Sequence, residues 1–418
     1  MKKAMRLVAA CLLVIFMFTA CGPSSVSTGS TVPPSGIVPG PGQSSDAKIA
    51  LIDIDGQQET GLGQAVWSAI TRFAGEKGLG CNIYTATKDD FTPTLELAKK
   101  SGAEVVVMLG DELGELMEKA QREYPDLYFL LLNTTQPWQL LKNGVSQQFL
   151  VEQAGWLTGY MAVQNGLHNL GAITFAGQGK AQQQRYVLGF VLGAEAAAAA
   201  LGLPQASIEI RVANLPQEAT TADVQAQMKT FAAMGAKAAY IPAGSALSGL
   251  EHMAKKTGVK LLLAGTAAED ETVLFSTQKN FQPVLEEILT QWREGHFPAG
   301  QQLQSGLADG AVRPTAGALW AETVTQQTYE QAFATFEKTK AAEQLDTLIA
   351  QPAAQGLLPN PEDFVLTFVW VVLPLPEGAV SQPGSLPQST PEAPAAASTN
   401  NEINSEENLP VEATSQVA

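Results

Sequence analysis

Short continuous apolar runs alternate with longer amphipathic segments from Lys48 onward. The runs "KIALIDI", "CNIYTAT", "AEVVVMLG" and "LYFLLLN" each have the length of a buried strand. Amphipathic stretches such as "GQAVWSAITRFAGEKG", which ends at Gly78, separate these runs and predict helices. Continuous apolar strands joined by helices indicate βαβ units and a parallel sheet.

The same alternation restarts near residue 150 and predicts a second α/β unit. A helix "EQAGWLTGYMAVQNG" precedes a strand "NLGAITFAG" and a long helix "QQRYVLGFVLGAEAAAAALG", and further strands and helices follow. The apolar segment from Phe364 to Pro374, "FVLTFVWVVLP", is too short to span a bilayer as a helix, so we predict a buried closing strand. Two similar halves predict two lobes whose strand ends face a ligand-binding cleft.

The amino terminus has the pattern of a secretory signal peptide. "MKKAMR" is cationic, "LVAACLLVIFMF" is apolar, and "FTAC" places small residues before Cys21. A cysteine directly after these residues resembles a bacterial lipobox. The resemblance implies that Cys21 becomes the lipidated first residue of the mature protein, although ordinary cleavage with a free Cys21 thiol is the alternative.

Composition divides the chain into a folded part between two unstructured ends. The segment after the signal peptide is rich in Gly, Pro, Ser and Thr, and the carboxyl-terminal segment is acidic and rich in Pro and Ser. We predict a signal peptide at 1–20, a disordered tether at 21–46, a two-lobe domain at 47–375 with lobes at 47–150 plus 282–375 and at 151–281, and a disordered tail at 376–418.

Charge and cysteine content exclude some functions. The formal net charge of −16 disfavours contact with nucleic acid. Cys81 would be the one cysteine left in the folded part, so we expect a small buried side chain and no intrachain disulfide. The three histidines, His168, His252 and His296, lack metal-ligand spacing, and we expect neither a metal nor a cofactor.

The first strand ends in Asp53, Asp55 and Gly56, which allows two functional interpretations and one structural one. Haloacid-dehalogenase phosphatases begin with a strand that ends in Asp-x-Asp-Gly, but here Gln57 and Gln58 replace the usual Thr and apolar residue. The later stretch "GTAAED" also lacks the first aspartate of the expected Mg²⁺ site. The carboxylates could instead line a ligand cleft or cap the next turn.

Six stretches resemble the basic membrane protein family, the lipid-anchored binding proteins of ABC importers typified by the purine nucleoside receptor A group. They are "KKSGAEVVVMLGDELGELMEKAQREYPDLYFLLLN", "VEQAGWLTGYMAV", "NLGAITFAG", "RYVLGFVLGAEAA", "FSTQKN" and "GLADGAV", in the family's order and spacing. The resemblance implies an α/β, two-lobed, type I periplasmic-binding-protein-like fold. Each lobe is then a parallel sheet flanked by helices, with a hinge between the lobes and no enzymatic activity.

The resemblance also implies a set of ligand-binding positions near the first strand. The family binds nucleosides with acidic side chains on the ribose hydroxyls and aromatic rings on the base. Asp53 or Asp55 occupies the position of the first ribose-binding acid. Glu59 and Leu62 lie in the next binding stretch, where Leu62 replaces a stacking Phe.

Later binding positions combine retained and replaced residues. Asn133 replaces the aspartate that ends the fourth strand, and Thr266 or Ala267 replaces another ribose ligand. Gly244 lies in the second base-binding loop, and Lys279 is retained. Independently of the resemblance, Trp138 lies in a polar loop just after Asn133 and is the better candidate for a stacking ring, whereas we expect Trp67 in the helix core.

These observations favour a monomeric, lipid-anchored solute-binding protein on the extracytoplasmic face of the cell membrane. It would deliver a small polar solute, nucleoside-like by resemblance, to the permease and ATPase subunits of an ABC importer. The first alternative is a surface lipoprotein of the same fold whose degenerate cleft no longer binds a solute, acting as a sensor or interaction protein. The second alternative is the secreted phosphatase.

Overall fold

The computed structural model describes residues 46–54, 61–175, 180–216, 219–242, 249–265, 270–315, 326–353 and 366–372. These residues all belong to one compact unit, which ends at Pro374. Within them strands and helices alternate as the hydrophobic pattern predicts. The helices are α1 (Gly61–Lys77), α2 (Phe91–Lys100), α3 (Gly114–Glu123), α4 (Val151–Gln164), α5 (Lys180–Leu201), α6 (Thr221–Ala233), α7 (Leu250–Thr257), α8 (Phe281–Arg293), α9 (Gln326–Lys338) and α10 (Ala341–Ala353).

The first lobe is built on a six-stranded sheet that is parallel throughout. Its strands are β1 (Ala47–Ile54), β2 (Gly80–Ala86), β3 (Val105–Leu109), β4 (Tyr128–Leu132), β5 (Gly144–Phe149) and β11 (Gln302–Ser305), in the order β11-β5-β4-β3-β1-β2. The central strands are wholly apolar and buried because helices cover both faces.

The second lobe is built on a seven-stranded sheet. Its strands are β6 (Asn169–Phe175), β7 (Ile208–Leu215), β8 (Ala238–Ile241), β9 (Lys260–Ala264), β10 (Val273–Lys279), β12 (Val312–Thr315) and β13 (Val369–Val372), in the order β12-β10-β9-β8-β6-β7-β13. The expectation of a fully parallel sheet is wrong for β12, which runs antiparallel to β10. The predicted two-lobed α/β architecture is otherwise confirmed.

The carboxyl-terminal strands change the predicted lobe boundary. We placed 282–375 in the first lobe, but β12 and β13 both pair within the second sheet, and α9 packs on α4. The predicted closing strand exists at β13, yet it forms a sheet edge and its Trp370 is 50% exposed. The segment is therefore not the buried strand that its apolar sequence suggests.

Helices α4 and α5 pack with their backbones in contact, because glycines face each other across the interface. A Cβ atom on Gly155 or Gly159 of α4 would lie 1.9 Å from a carbonyl oxygen of α5. Gly189 and Gly193 of α5 have the same relation to α4. The two Gly-x-x-x-Gly spacings are therefore required for this close contact, which buries nearly all of α4.

Among the described residues no helix has both the length and the apolar character needed to cross a membrane.

Candidate functional site

The carboxyl ends of β4 and β10 meet, although the two strands belong to different sheets. Asn133 follows β4 in the left-handed backbone region (φ 62°), and its side-chain oxygen accepts a hydrogen bond from the Lys279 ammonium at the end of β10. Gln182 of α5 completes the group, because its Oε1 accepts from Lys279 Nζ at 3.1 Å and its Nε2 donates to Asn133 Oδ1 at 3.3 Å. We call these three residues the cleft-floor triad.

Lys279 is the titratable residue of the triad, and its pKa is strongly shifted. Its side chain is 8% exposed, and burial lowers its pKa to about 7. Burial is the largest cause of this value; the Arg185 guanidinium also lowers the pKa, whereas the Asp111 carboxylate partly raises it. The partners in hydrogen-bond contact with the amine are neutral amide oxygens, so they supply no full negative charge.

Trp138 is held by an aspartate that the sequence analysis did not single out. The Asp111 carboxylate accepts hydrogen bonds from the Trp138 indole N–H at 3.0 Å and from the Thr135 backbone N–H at 2.9 Å, and also from the Thr135 hydroxyl. A Cβ atom on Gly114 would lie 2.2 Å from the indole ring, so only glycine admits the ring there. Trp138 is thus a partly buried ring that is fixed within the first lobe.

The other described candidates lie away from this group. Asp53 is 5% exposed at the carboxyl end of β1, two strands from β4 in the sheet. Leu62, in the first turn of α1, is half-buried and packs against the core, as does Trp67, which therefore lies where we expected it. Asp53 and Asn133 lie at the carboxyl ends of two strands of the same sheet.

Four predicted ligand residues lie outside the described residues. They are Asp55, Glu59, Gly244 and Thr266, and the proposed lipidation site Cys21 lies outside them as well. Their roles stay predictions of the resemblance.

A buried ion pair lies beside the triad and was missed by the sequence analysis. Arg185 of α5 donates to both carboxylate oxygens of Glu152 on α4, at 2.9 and 2.7 Å. Glu152 is fully buried and Arg185 is 6% exposed, so this charge pair is desolvated and matched. Both residues stand in stretches quoted above, "VEQAG" and "RYVLGF", but nothing in either stretch alone indicates that the two side chains meet.

Within the described ranges the chain crosses between the lobes three times, and hydrogen bonds join the crossings to one another. They lie at Leu150, at Asn280 and at residues 306–311. The Gln153 side chain accepts from the Leu307 backbone N–H at 2.8 Å, and the Asn280 side chain donates to the Gly310 carbonyl at 3.0 Å. The predicted hinge therefore consists of three short connections, and Lys279 lies one residue from the second.

The described residues contain no cluster of three or more His, Cys, Asp or Glu side chains arranged to hold a metal ion.

Known structures with the same architecture include two solute-binding proteins of ABC transporter systems. The protein from Conexibacter woesei is 16% identical, covers 71% of this chain and 97% of its own, and superposes with a TM-score of 0.57. The protein from Aeropyrum pernix is 19% identical, covers 76% and 95%, and has a TM-score of 0.51. A transcriptional activator of the comK gene from Bacillus halodurans is 15% identical, covers 75% and 100%, and has a TM-score of 0.54.

At these identities the structures show the shared fold, and the family follows from the sequence itself. Residues 47–344 match the profile of the family described as "Bmp: ABC transporter substrate-binding protein PnrA-like". The match covers both lobes from β1 through β12 and includes the three crossings. The chain therefore belongs to the Bmp family of PnrA-like ABC transporter substrate-binding proteins.

Proposed function

We propose that this chain is a lipid-anchored, extracytoplasmic binding protein that captures a small polar solute between its lobes and delivers it to an ABC importer. The observation that carries the proposal is the cleft-floor triad, because it places hydrogen-bonding side chains from both lobes at one point. A solute that bridged the lobes there would favour the closed form by its extra contacts. Membership of a binding-protein family sets the phosphatase interpretation aside.

The solute-binding part of the proposal is tested by calorimetry on the full chain, purified from membranes in mild detergent. Nucleosides, bases, sugars and amino acids are each added before thermal unfolding is recorded. A ligand at a hundred times its dissociation constant adds about 2.7 kcal/mol to the free energy of unfolding, which shifts the melting temperature by several degrees. A shift with a nucleoside supports the nucleoside-like class, and a cooperative transition that no solute moves contradicts solute capture.

The lipid anchor is tested separately at Cys21. Cells grown with a labelled fatty acid should incorporate the label into the wild-type chain and not into Cys21→Ala. Cys81→Ala is the matched control, because Cys81 is the cysteine of the described residues and should not affect labelling. Equal labelling of wild type and Cys21→Ala would contradict the anchor.

The importer partnership is tested by transport. Uptake of a solute identified by calorimetry should fall in cells that lack this chain and recover when the chain is restored. Uptake that is independent of the chain would contradict the partnership without affecting solute binding.

A second function, a surface lipoprotein with a cleft that no longer binds, is favoured by one feature of the site. Leu62 has no aromatic ring to stack on a base. The Trp138 ring is fixed within the first lobe, because its N–H donates to Asp111 and its face packs against Gly114. The fold also occurs in a protein identified as a transcriptional activator, so it is compatible with a regulatory role. A solute-independent melting temperature together with a ligand-independent cell phenotype would favour this second function.

A further inference from the structure

Lys279 is a buried amine that contacts no negative charge among the described residues. In the described part of the chain it donates hydrogen bonds to Asn133 and Gln182, and both acceptors are neutral amide oxygens. No carboxylate of the described residues lies within ion-pair distance of its Nζ atom. Buried charges in proteins are normally paired, because an unpaired charge loses its hydration without compensation.

The two charged groups of the described residues that act on the pKa of Lys279 already have other partners. The Arg185 guanidinium is bound through two hydrogen bonds to the Glu152 carboxylate. The Asp111 carboxylate accepts from Thr135 and Trp138. These groups act on Lys279 only through space, and their effects on its pKa oppose each other. Among the described residues, the amine therefore has no carboxylate in direct contact.

We propose that the solute of this cleft carries an anionic oxygen group, a carboxylate or a phosphate, which pairs with Lys279. The inference rests on the proposed solute-binding function and specifies its ligand class. A single chemical difference supports it: Asn133 stands where the resemblance puts an aspartate. An aspartate there would balance the lysine from within the protein, whereas Asn133 leaves the charge to be balanced by the ligand.

Proton uptake should accompany binding. The pKa of Lys279 is lowered to about 7 in the free protein, so the amine is partly neutral at physiological pH. An anion next to it raises that pKa, because the opposite charge favours the ammonium form. The affinity for an anion should therefore be constant below pH 7 and weaken by up to about tenfold per pH unit above it.

The experiment is isothermal titration calorimetry on the full chain with two simple anions and with nucleosides that lack or carry a phosphate. Inorganic sulfate and succinate serve as simple anions whose charge is constant above pH 7. Each nucleoside is compared with its 5′-monophosphate, which separates phosphate from base recognition. We expect the monophosphate to bind at least tenfold more tightly than the nucleoside, and the measured heat to depend on the ionisation enthalpy of the buffer, as proton uptake requires.

Three variants identify the group responsible. Lys279→Met removes the charge at nearly constant volume, and Asn133→Asp supplies an internal carboxylate. Both should weaken anion binding at least tenfold. Lys48→Met is the control, because the Lys48 ammonium pairs with Glu104 at 2.8 Å at the opposite end of β1 and should not affect binding. Thermal unfolding of each variant verifies the fold, and Lys279→Arg, which keeps the charge, should retain part of the affinity.

The outcomes separate this inference from the proposed function. Equal anion affinity in wild type and Lys279→Met would overturn the inference. A neutral nucleoside that binds as tightly as its monophosphate would overturn it too, while the proposed solute-binding function would stand. If neither charged nor neutral solutes bind the wild type, both proposals fail together.

Discussion

Two buried cations lie near each other on the second lobe, and their surroundings differ sharply. Arg185, between α4 and α5, is 6% exposed and is bound by both oxygens of the Glu152 carboxylate. Lys279, in the cleft-floor triad, is 8% exposed, and its hydrogen-bond partners among the described residues are amide oxygens. The burial is similar, so the difference lies in the partner charge alone.

The comparison suggests why one charge is matched and the other is not. The α4–α5 interface is closed, with glycine backbones in direct contact, and a charge inside it can be balanced only by the protein. The cleft-floor triad joins side chains of both lobes, and under the proposal made above a solute bound between the lobes supplies the missing charge. Charge balance thus distinguishes the closed α4–α5 interface from the proposed binding site within the same lobe.

The largest expected loss of stability follows from removing one partner of the Glu152–Arg185 ion pair. Glu152→Leu leaves Arg185 buried without a carboxylate, which should lower the free energy of unfolding by about 3–5 kcal/mol. Denaturant unfolding measures the change. The double variant Glu152→Leu/Arg185→Leu is the control and should recover most of the loss, because it removes the unpaired charge. A single variant as stable as wild type would show that the pair is not the desolvated ion pair described here.

The next effect concerns the glycine contacts of the same interface. Gly189→Ala places a Cβ atom 1.9 Å from the Glu152 carbonyl oxygen, so α4 and α5 must separate, at a cost of about 3 kcal/mol in unfolding free energy. Gly75→Ala in α1 is the matched control, because a Cβ atom there meets nothing within 4 Å. It should stabilise the protein by about 0.5–1 kcal/mol. Equal melting temperatures for both variants would contradict the close helix contact.

The fold was predictable where the strands are buried and apolar. The runs that became β3 and β4 are apolar throughout, β1 has charged residues only near its two ends, and amphipathic helices separate the three strands. We did not predict strands β5 and β11, because their sequences, "GVSQQF" and "QLQS", contain several polar residues. The two strands are neighbours at one end of the first sheet. Gln148 and Gln304 bond to each other there at 2.8 Å. Such strands are defined by their neighbours rather than by their own pattern.

The site was predictable only in part, for the same kind of reason. Sequence resemblance singled out Asn133 and Lys279, and the structure brings these two together. It could not single out Gln182, Asp111 or the Glu152–Arg185 pair, because each contact joins residues far apart in the chain. The lobe of β13 was misassigned because an apolar run indicates burial but does not indicate which sheet the strand will join.

A smaller effect tests the unmatched cation through the pH dependence of stability. The pKa of Lys279 is lowered to about 7 when folded and returns to about 10.4 when unfolded. Between these values the unfolded chain binds more protons, so wild-type stability should rise with pH, by up to about 1.4 kcal/mol per unit. Below pH 7 both states are protonated, and the slope should vanish.

Lys279→Met removes this dependence and serves as its reference. The difference in unfolding free energy between wild type and Lys279→Met is measured from pH 6 to pH 10 in low-anion buffer. We expect wild type to gain on the variant as the pH rises above 7. Parallel curves would mean that Lys279 keeps an ordinary pKa and has a partner charge after all.

The smallest effect concerns a carboxylate whose partners are backbone groups instead of a cation. Glu195 of α5 accepts hydrogen bonds from the backbone N–H groups of Thr367, Phe368 and Val369, at 2.8–2.9 Å, and so fixes the start of β13 at the sheet edge. Glu195→Gln exchanges one acceptor oxygen for a donor that faces these N–H groups, at a cost of about 1 kcal/mol. Because β13 is an edge strand, the cost should appear as local opening before global unfolding.

Hydrogen exchange should therefore accelerate about fivefold to tenfold at these three amides in Glu195→Gln. The amides of β8, the central strand of the same sheet, should keep their wild-type rates. Acceleration in both places would mean that the variant loosens the whole second lobe, and no acceleration would mean that pairing with β7 alone holds β13. The expected result would extend the comparison of Arg185 with Lys279. Removing the partner of a buried charge lowers the stability of the whole fold, whereas changing the Glu195 carboxylate affects only the edge strand that it contacts.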